Sequence, residues 1–340
     1  MIGINPIINQ AAERENFSGA ILVKNSADEH IRSAFGWSNR AERLENNFNT
    51  KFGIASGCKV FTAVAICQLI EEKKLQFDTQ LGELLAHDLP LLDPKVTIHH
   101  LLTHTSGMPD YFDEEEIENF EDLWKTTPMY TLRQGRDFLP LFHNKPMKFK
   151  PGEKFHYNNA GYLVLGLVVE LLTGKTFQAY VVENIFNHCG MDNSGYYEMD
   201  RLPENTAMGY IQDEVGWKSN IYSIPVKGGA DGGAFVTAAD MIRFWERLID
   251  QKLLSEAMTN EFLIPKVQVK QGLSYGYGLW MNSEADQVHK YHVMGYDPGV
   301  SFHSSYYPAE RVSLAVLSNR GSGAYEMMKV VEDLLIKLNS

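Results

Sequence analysis

The chain has 340 residues, 44% of them hydrophobic and 22% charged, with a formal charge of −12, a globular composition with room for a substantial core arranged as one large domain or two lobes. The acidic balance and the lack of a long basic run exclude nucleic acid as the main partner, since phosphate binding needs a concentrated positive field, and no stretch reaches the roughly 20 apolar residues of a membrane span. Cys58, Cys67 and Cys189 cannot all pair, and the first residues lack the basic lead and apolar run of a signal peptide, so the expectation is a cytoplasmic protein with free thiols.

Residues 3–15 read as an amphipathic helix, followed by two β-rich runs over 17–23 and 30–37 across a turn at 25–28. After Ser56 the apolar residues Val60, Val64, Cys67 and Ile70 recur at three- and four-residue intervals, which predicts a buried helix starting at or beside Ser56. From 75 to about 210 the pattern changes to short helices and loops, over 81–85, 97–102 and 131–142, with a longer helix over 159–172 stopped by Thr173 and Gly174. The acidic run at 113–118 reads as a solvated face or a lid edge rather than a metal cluster. Strand signals return near Ile221, beside the glycine-rich loop at 227–233. Thr237 then caps a helix running to Ile249. Strands are expected over 275–281, 288–293, 300–307 and 311–319, close enough to pair antiparallel, before a terminal helix over 326–338. The fold class is therefore α+β: an antiparallel sheet built from both chain ends and flanked by helices (1–75 and 211–340), with an inserted, mainly helical lobe (76–210) and an active site in the cleft between them.

Ser56 and Lys59 are three residues apart on one predicted helix, so the hydroxyl and the amine fall on one side. A serine hydroxyl is a weak nucleophile until a partner takes its proton. Lys59 supplies that partner if its environment favours the free amine; otherwise it orients the serine while another group accepts the proton. Tyr157, just before the 159–172 helix, is such a group, and Asn159 offers a donor and an acceptor to a substrate. His292 stands between two expected strands, where it could hydrogen-bond a substrate carboxylate or carbonyl, and the nearby Gly295 lets backbone N–H groups approach an oxyanion. Other patterns dissolve on inspection. Gly174 to Thr176 lacks the first glycine of a phosphate loop, the position being Val169. His100 and His104 have no third ligand nearby. Ile54 and Cys58 stand where a sharp-elbow hydrolase needs glycines.

With these residues in view, the chain resembles the serine β-lactamase-like family, in its class C β-lactamase, D-alanyl-D-alanine carboxypeptidase and esterase branch. The resemblance runs from about 17 to 319, through SGCK at 56–59, FTAVAI at 61–66, LLTHTSGMP at 101–109, FKPGE at 149–153, YNN at 157–159, GYLVLG at 161–166, GGADGG at 228–233, YGYGL at 275–279 and DPG at 297–299. It implies that Ser56 is acylated, that Lys59 and Tyr157 share the proton work, that Asn159 holds the substrate amide, and that His292 and Gly295 supply the third motif. Gly295 comes three residues after His292 rather than two, so either the strand carries a bulge or His292 is one residue out of place. The oxyanion hole would combine the Ser56 N–H with one from Gly295 or its neighbour. The expectation is a serine hydrolase without metal or organic cofactor, acting on a small molecule or short peptide. The alternative is a catalytically silent homologue that binds, or is acylated, without turnover.

Overall fold

The computed structural model describes residues 4–25, 28–117 and 119–339; residues 1–3, the expected turn residues Ser26 and Ala27, and Glu118 of the acidic run lie outside the described residues. Helix α1 (Ile4–Arg14) leads into strands β1 (Gly19–Asn25) and β2 (Glu29–Phe35). The long helices that follow are α2 (Lys59–Glu71), α3 (Asn159–Thr173) and α4 (Ala238–Ile249). The last third of the chain adds β3 (Val267–Lys270), β4 (Leu273–Tyr275), β5 (Trp280–Glu284), β6 (Gln287–Asp297), β7 (Val300–Tyr307), β8 (Val312–Ser318) and helix α5 (Ala324–Asn339). These strands form one sheet in the order β2-β1-β8-β7-β6-β5-β4-β3, antiparallel throughout. The expected α+β architecture is observed, with β1 from one chain end hydrogen-bonded to β8 from the other.

Alternation along the strands sends side chains to two separate cores. Ile21, Val23, Leu314 and Val316 pack with Ile8 of α1 and with Met327 and Val331 of α5. Ala20, Leu22, Ala315, Leu317 and Phe302 face the other way, into the larger core that contains α2, α3 and α4. Every residue of α2 from Lys59 to Cys67 is buried. A helix apolar on all sides belongs inside a protein, and Lys59 is carried into the interior with it, 1% exposed.

Some expected elements take other forms. Residues 275–281 are the hairpin between β4 and β5: Gly276 N–H donates to the Leu279 carbonyl (2.9 Å) and Gly278 takes φ +75°. That conformation lets the turn press against α2, where a Cβ on Gly278 would lie 2.9 Å from the Lys59 carbonyl oxygen. Ile221 lies in a turn closed by the Ser223 N–H to Asn220 carbonyl bond, and the strands near it are Tyr210–Gln212 and Trp217–Ser219. The 131–142 stretch forms two 3-10 segments, Met129–Thr131 and Gly135–Leu141, and Pro140 inside the second removes a backbone donor there. Thr237 caps α4 as expected, its side chain accepting from Asp240 N–H. Cys58, Cys67 and Cys189 are all buried and unpaired.

Candidate active site

Ser56 sits in a 3-10 turn, Ala55–Cys58, that runs directly into α2. Ala55 adopts φ +45°, a left-handed conformation that costs a non-glycine residue energy. Two hydrogen bonds hold it there, from Ile54 N–H to the Ala234 carbonyl (2.9 Å) and from Gly233 N–H to the Ala55 carbonyl (3.2 Å). The glycine-rich loop thus braces the nucleophile turn from one side, and Ser56 lines the adjoining cavities.

Lys59 Nζ lies 2.9 Å from Ser56 Oγ, 2.8 Å from Asn159 Oδ1 and 2.7 Å from the Asp231 carbonyl oxygen. Asn159 is the first residue of α3, whose cap is Asn158: its side chain accepts from Gly161 N–H at 2.6 Å. The Asn159 amide is engaged at both ends, because its Nδ2 donates to the Phe112 carbonyl (3.2 Å). Asn159 accordingly orients Lys59 as much as it faces a substrate.

Against the larger effect of burial, the Ser56 side chain draws the Tyr157 phenol down, and Lys59 Nζ lies 5.0 Å from the Tyr157 ring centroid. The ring leans on His104 (4.3 Å between centroids) and stacks with Trp280 (6.2 Å, 14° between planes). Burial, and secondarily the Glu114 carboxylate, push its phenol well above the usual tyrosine range. His104 is committed to this wall: its Nδ1 accepts from Asn158 N–H at 3.0 Å, and burial holds the imidazole well below its ordinary value.

Two carboxylates to which the motifs gave no role organise the site. Asp110, 4% exposed, accepts the N–H groups of Tyr111 (2.7 Å), Asn159 (2.6 Å) and Ala160 (2.9 Å), which ties the start of α3 to the loop before it. Asp231 gives its carbonyl to Lys59, while its Oδ2 accepts from the Tyr111 hydroxyl at 2.5 Å. The acidic run also divides. Asp113 is buried against Lys148 and His156, which hold its carboxyl below the usual range despite the opposing effect of burial; Glu114 is exposed at the cavity edge.

Gly295 reaches the site and His292 does not. A Cβ on Gly295 would lie 2.2 Å from the Ile54 carbonyl oxygen and 2.7 Å from both Ser56 N and Gly57 N, so only glycine allows β6 to approach the nucleophile turn this closely. Gly295→Ala should therefore push β6 and the Ser56 turn apart, lowering kcat/KM by about 100-fold or more through a displaced oxyanion site and costing about 1–3 kcal/mol of stability. Ester kinetics and thermal unfolding check this; a wild-type rate would contradict it. β6 pairs with β7 in unbroken register from Tyr291 opposite Tyr306 to Asp297 opposite Val300, so no bulge corrects the spacing. Alternation puts His292 on the opposite sheet face from Gly295, in a pocket with Lys290, His303 and the α5 residues Tyr325 and Glu332. Its ring nitrogens have no partner among the described residues, and burial holds the imidazole well below its ordinary value. Val293, two residues before Gly295, faces the Ser56 side as part of the larger core. The expectation that His292 contacts substrate is corrected accordingly.

Fold and site together are those of the serine hydrolases of the β-lactamase and penicillin-binding type. The chain belongs to the Beta-lactamase family, whose sequence model matches residues 5–333. It is similar to the crystal structure of a penicillin binding protein from Bacillus halodurans, at 54% identity over 96% of this chain and 99% of that one with a TM-score of 0.93. Among curated relatives it is 26% identical to penicillin-binding protein 4* of Bacillus subtilis, over 98% of this chain and 75% of that protein. It is 23% identical to the teichoic acid D-alanine hydrolase of Staphylococcus aureus, over 96% of this chain and 77% of that protein.

Proposed function

We propose that the protein is a serine hydrolase that cleaves an ester or amide, in a small molecule or short peptide, through an acyl-enzyme on Ser56. The observation that carries this reading is the 2.9 Å contact between Ser56 Oγ and Lys59 Nζ at the edge of a cavity that Tyr157 also lines. Two of the three Lys59 contacts, Asn159 Oδ1 and the Asp231 carbonyl, are to atoms that only accept. A neutral amine gives its two N–H groups to them and turns its lone pair toward the Ser56 hydroxyl; an ammonium donates to all three. The cradle thus suits Lys59 both before and after it takes the serine proton.

In this reading Ser56 Oγ bonds to the substrate carbonyl carbon as its proton passes to Lys59. The resulting oxyanion is met by the Ser56 N–H and by a β6 N–H at Gly295 or Tyr296. Tyr157, kept protonated by its buried position, hands its proton to the leaving alcohol or amine as the scissile bond breaks, and regains one from Lys59. Water then enters where the leaving group was and bonds to the acyl carbon as its proton passes to the same pair, and the pair returns a proton to Ser56 Oγ as the ester bond breaks and the acid leaves. The curated relative that is itself a hydrolase by name supports turnover over silent binding. The expected result is hydrolysis of p-nitrophenyl acetate that stops on treatment with a phosphonate serine probe. Absence of turnover on that ester, on nitrocefin and on a D-amino-acid amide would reject the reading.

A further inference from the structure

The cavity beside Ser56 is lined by three carboxylates, Glu114, Asp231 and Asp297. Asp231 is already bonded to Tyr111. The side-chain carboxylates of Asp297 and Glu114 have no hydrogen bond or ion pair among the described residues. Lys227, the one cation among the described lining residues, lies 3.5 Å from Glu198. Lys59 stands beneath with its contacts to Ser56, Asn159 and Asp231. β6 brings no cation to this side, since the position two before Gly295 is Val293 and Lys290 turns to the other face to bond Glu332 at 2.6 Å. A substrate carboxylate would meet repulsion here, whereas a cation would meet unpaired acceptors.

We propose, resting on the hydrolase reading above, that the acyl group delivered to Ser56 carries an ammonium, as in an aminoacyl ester or amide, and that the Asp297 carboxylate receives it with Glu114 at the cavity edge. Asp297 is two residues beyond Gly295 on the same strand, so its side chain falls on the face that meets Ser56. An acceptor there lines the same cavities as the nucleophile. Burial and the neighbouring Asp231 charge push the Asp297 carboxyl up to about 7. An incoming ammonium offsets both costs and draws that carboxyl to its ionised form.

The experiment compares alanine methyl ester with N-acetylalanine methyl ester, in both enantiomers, for wild type and Asp297→Asn. The expected result for wild type is a kcat/KM about 10- to 100-fold higher for the free amine in at least one enantiomer, the size of a hydrogen bond to a charged group. Asp297→Asn should collapse that ratio by a similar factor, and a thermal unfolding midpoint near that of wild type shows that the variant is folded. Equal or faster turnover of the N-acetyl ester, or a ratio that Asp297→Asn leaves intact, overturns the ammonium assignment while leaving the hydrolase reading in place. If neither ester nor p-nitrophenyl acetate is turned over, both readings fall together.

Discussion

Ser56→Ala should lower ester hydrolysis by about 10⁴-fold or more, to a residue set by the remaining backbone donors and binding groups. The variant removes one part-buried hydrogen-bond partner, so a folded protein is expected. The Lys59 amine keeps Asn159 Oδ1 and the Asp231 carbonyl, and the Ala55 turn keeps its bonds to Gly233 and Ala234. Loss of rate without loss of fold is therefore the signature. Steady-state kinetics on p-nitrophenyl acetate with circular dichroism of the same sample reads both quantities. A variant that keeps a tenth of the wild-type rate would mean that another nucleophile acts.

Lys59→Met should cost about 10²- to 10⁴-fold in kcat/KM, the range for a lost general base, and also destabilise the protein. Methionine matches the stem but not the donors. It leaves Asn159 Oδ1 and the Asp231 carbonyl buried without their partner, at about 1–3 kcal/mol for each unsatisfied group. The rate and stability effects separate in the double variant. Adding Lys59→Met to Ser56→Ala should lower stability further yet leave the residual rate nearly unchanged, because base and nucleophile act as one unit. Lys59→Arg should fail to restore activity, since a guanidinium does not give up its proton in a protein. Independent, additive rate losses in the double variant would show that Lys59 serves the structure alone.

What the sequence disclosed divides along a physical line. Ser56 and Lys59 are paired by helical geometry, so three residues of spacing suffice to join them. Asn159 and Tyr157 come from a distant segment, and their motif rather than their local pattern placed them. Asp110 and Asp231 escaped notice because their work is tertiary: one gathers N–H groups from two segments, the other lends a backbone carbonyl. In hindsight, an acidic side chain directly after the turn at Gly107 and Pro109, and another inside a glycine-rich loop, were the only local hints. His292 shows the opposite failure. Its chemistry suited the role, but strand parity decides which face a residue serves, and one position of offset sends it to the far side. The 275–281 stretch misread for a related reason: its aromatic residues favour strands, yet Gly276 and Gly278 fold it into the hairpin that touches α2.

The central claim is a covalent bond to one hydroxyl, and intact-protein mass spectrometry after mixing with p-nitrophenyl acetate, followed by peptide mapping, tests it most directly. The expected result is a single acetyl adduct on the peptide carrying Ser56, absent in Ser56→Ala, that decays as fast as product forms. An adduct on any other residue, or none under conditions of measured turnover, would contradict the account; an adduct on Ser56 that persists without product would leave a binder in place of an enzyme.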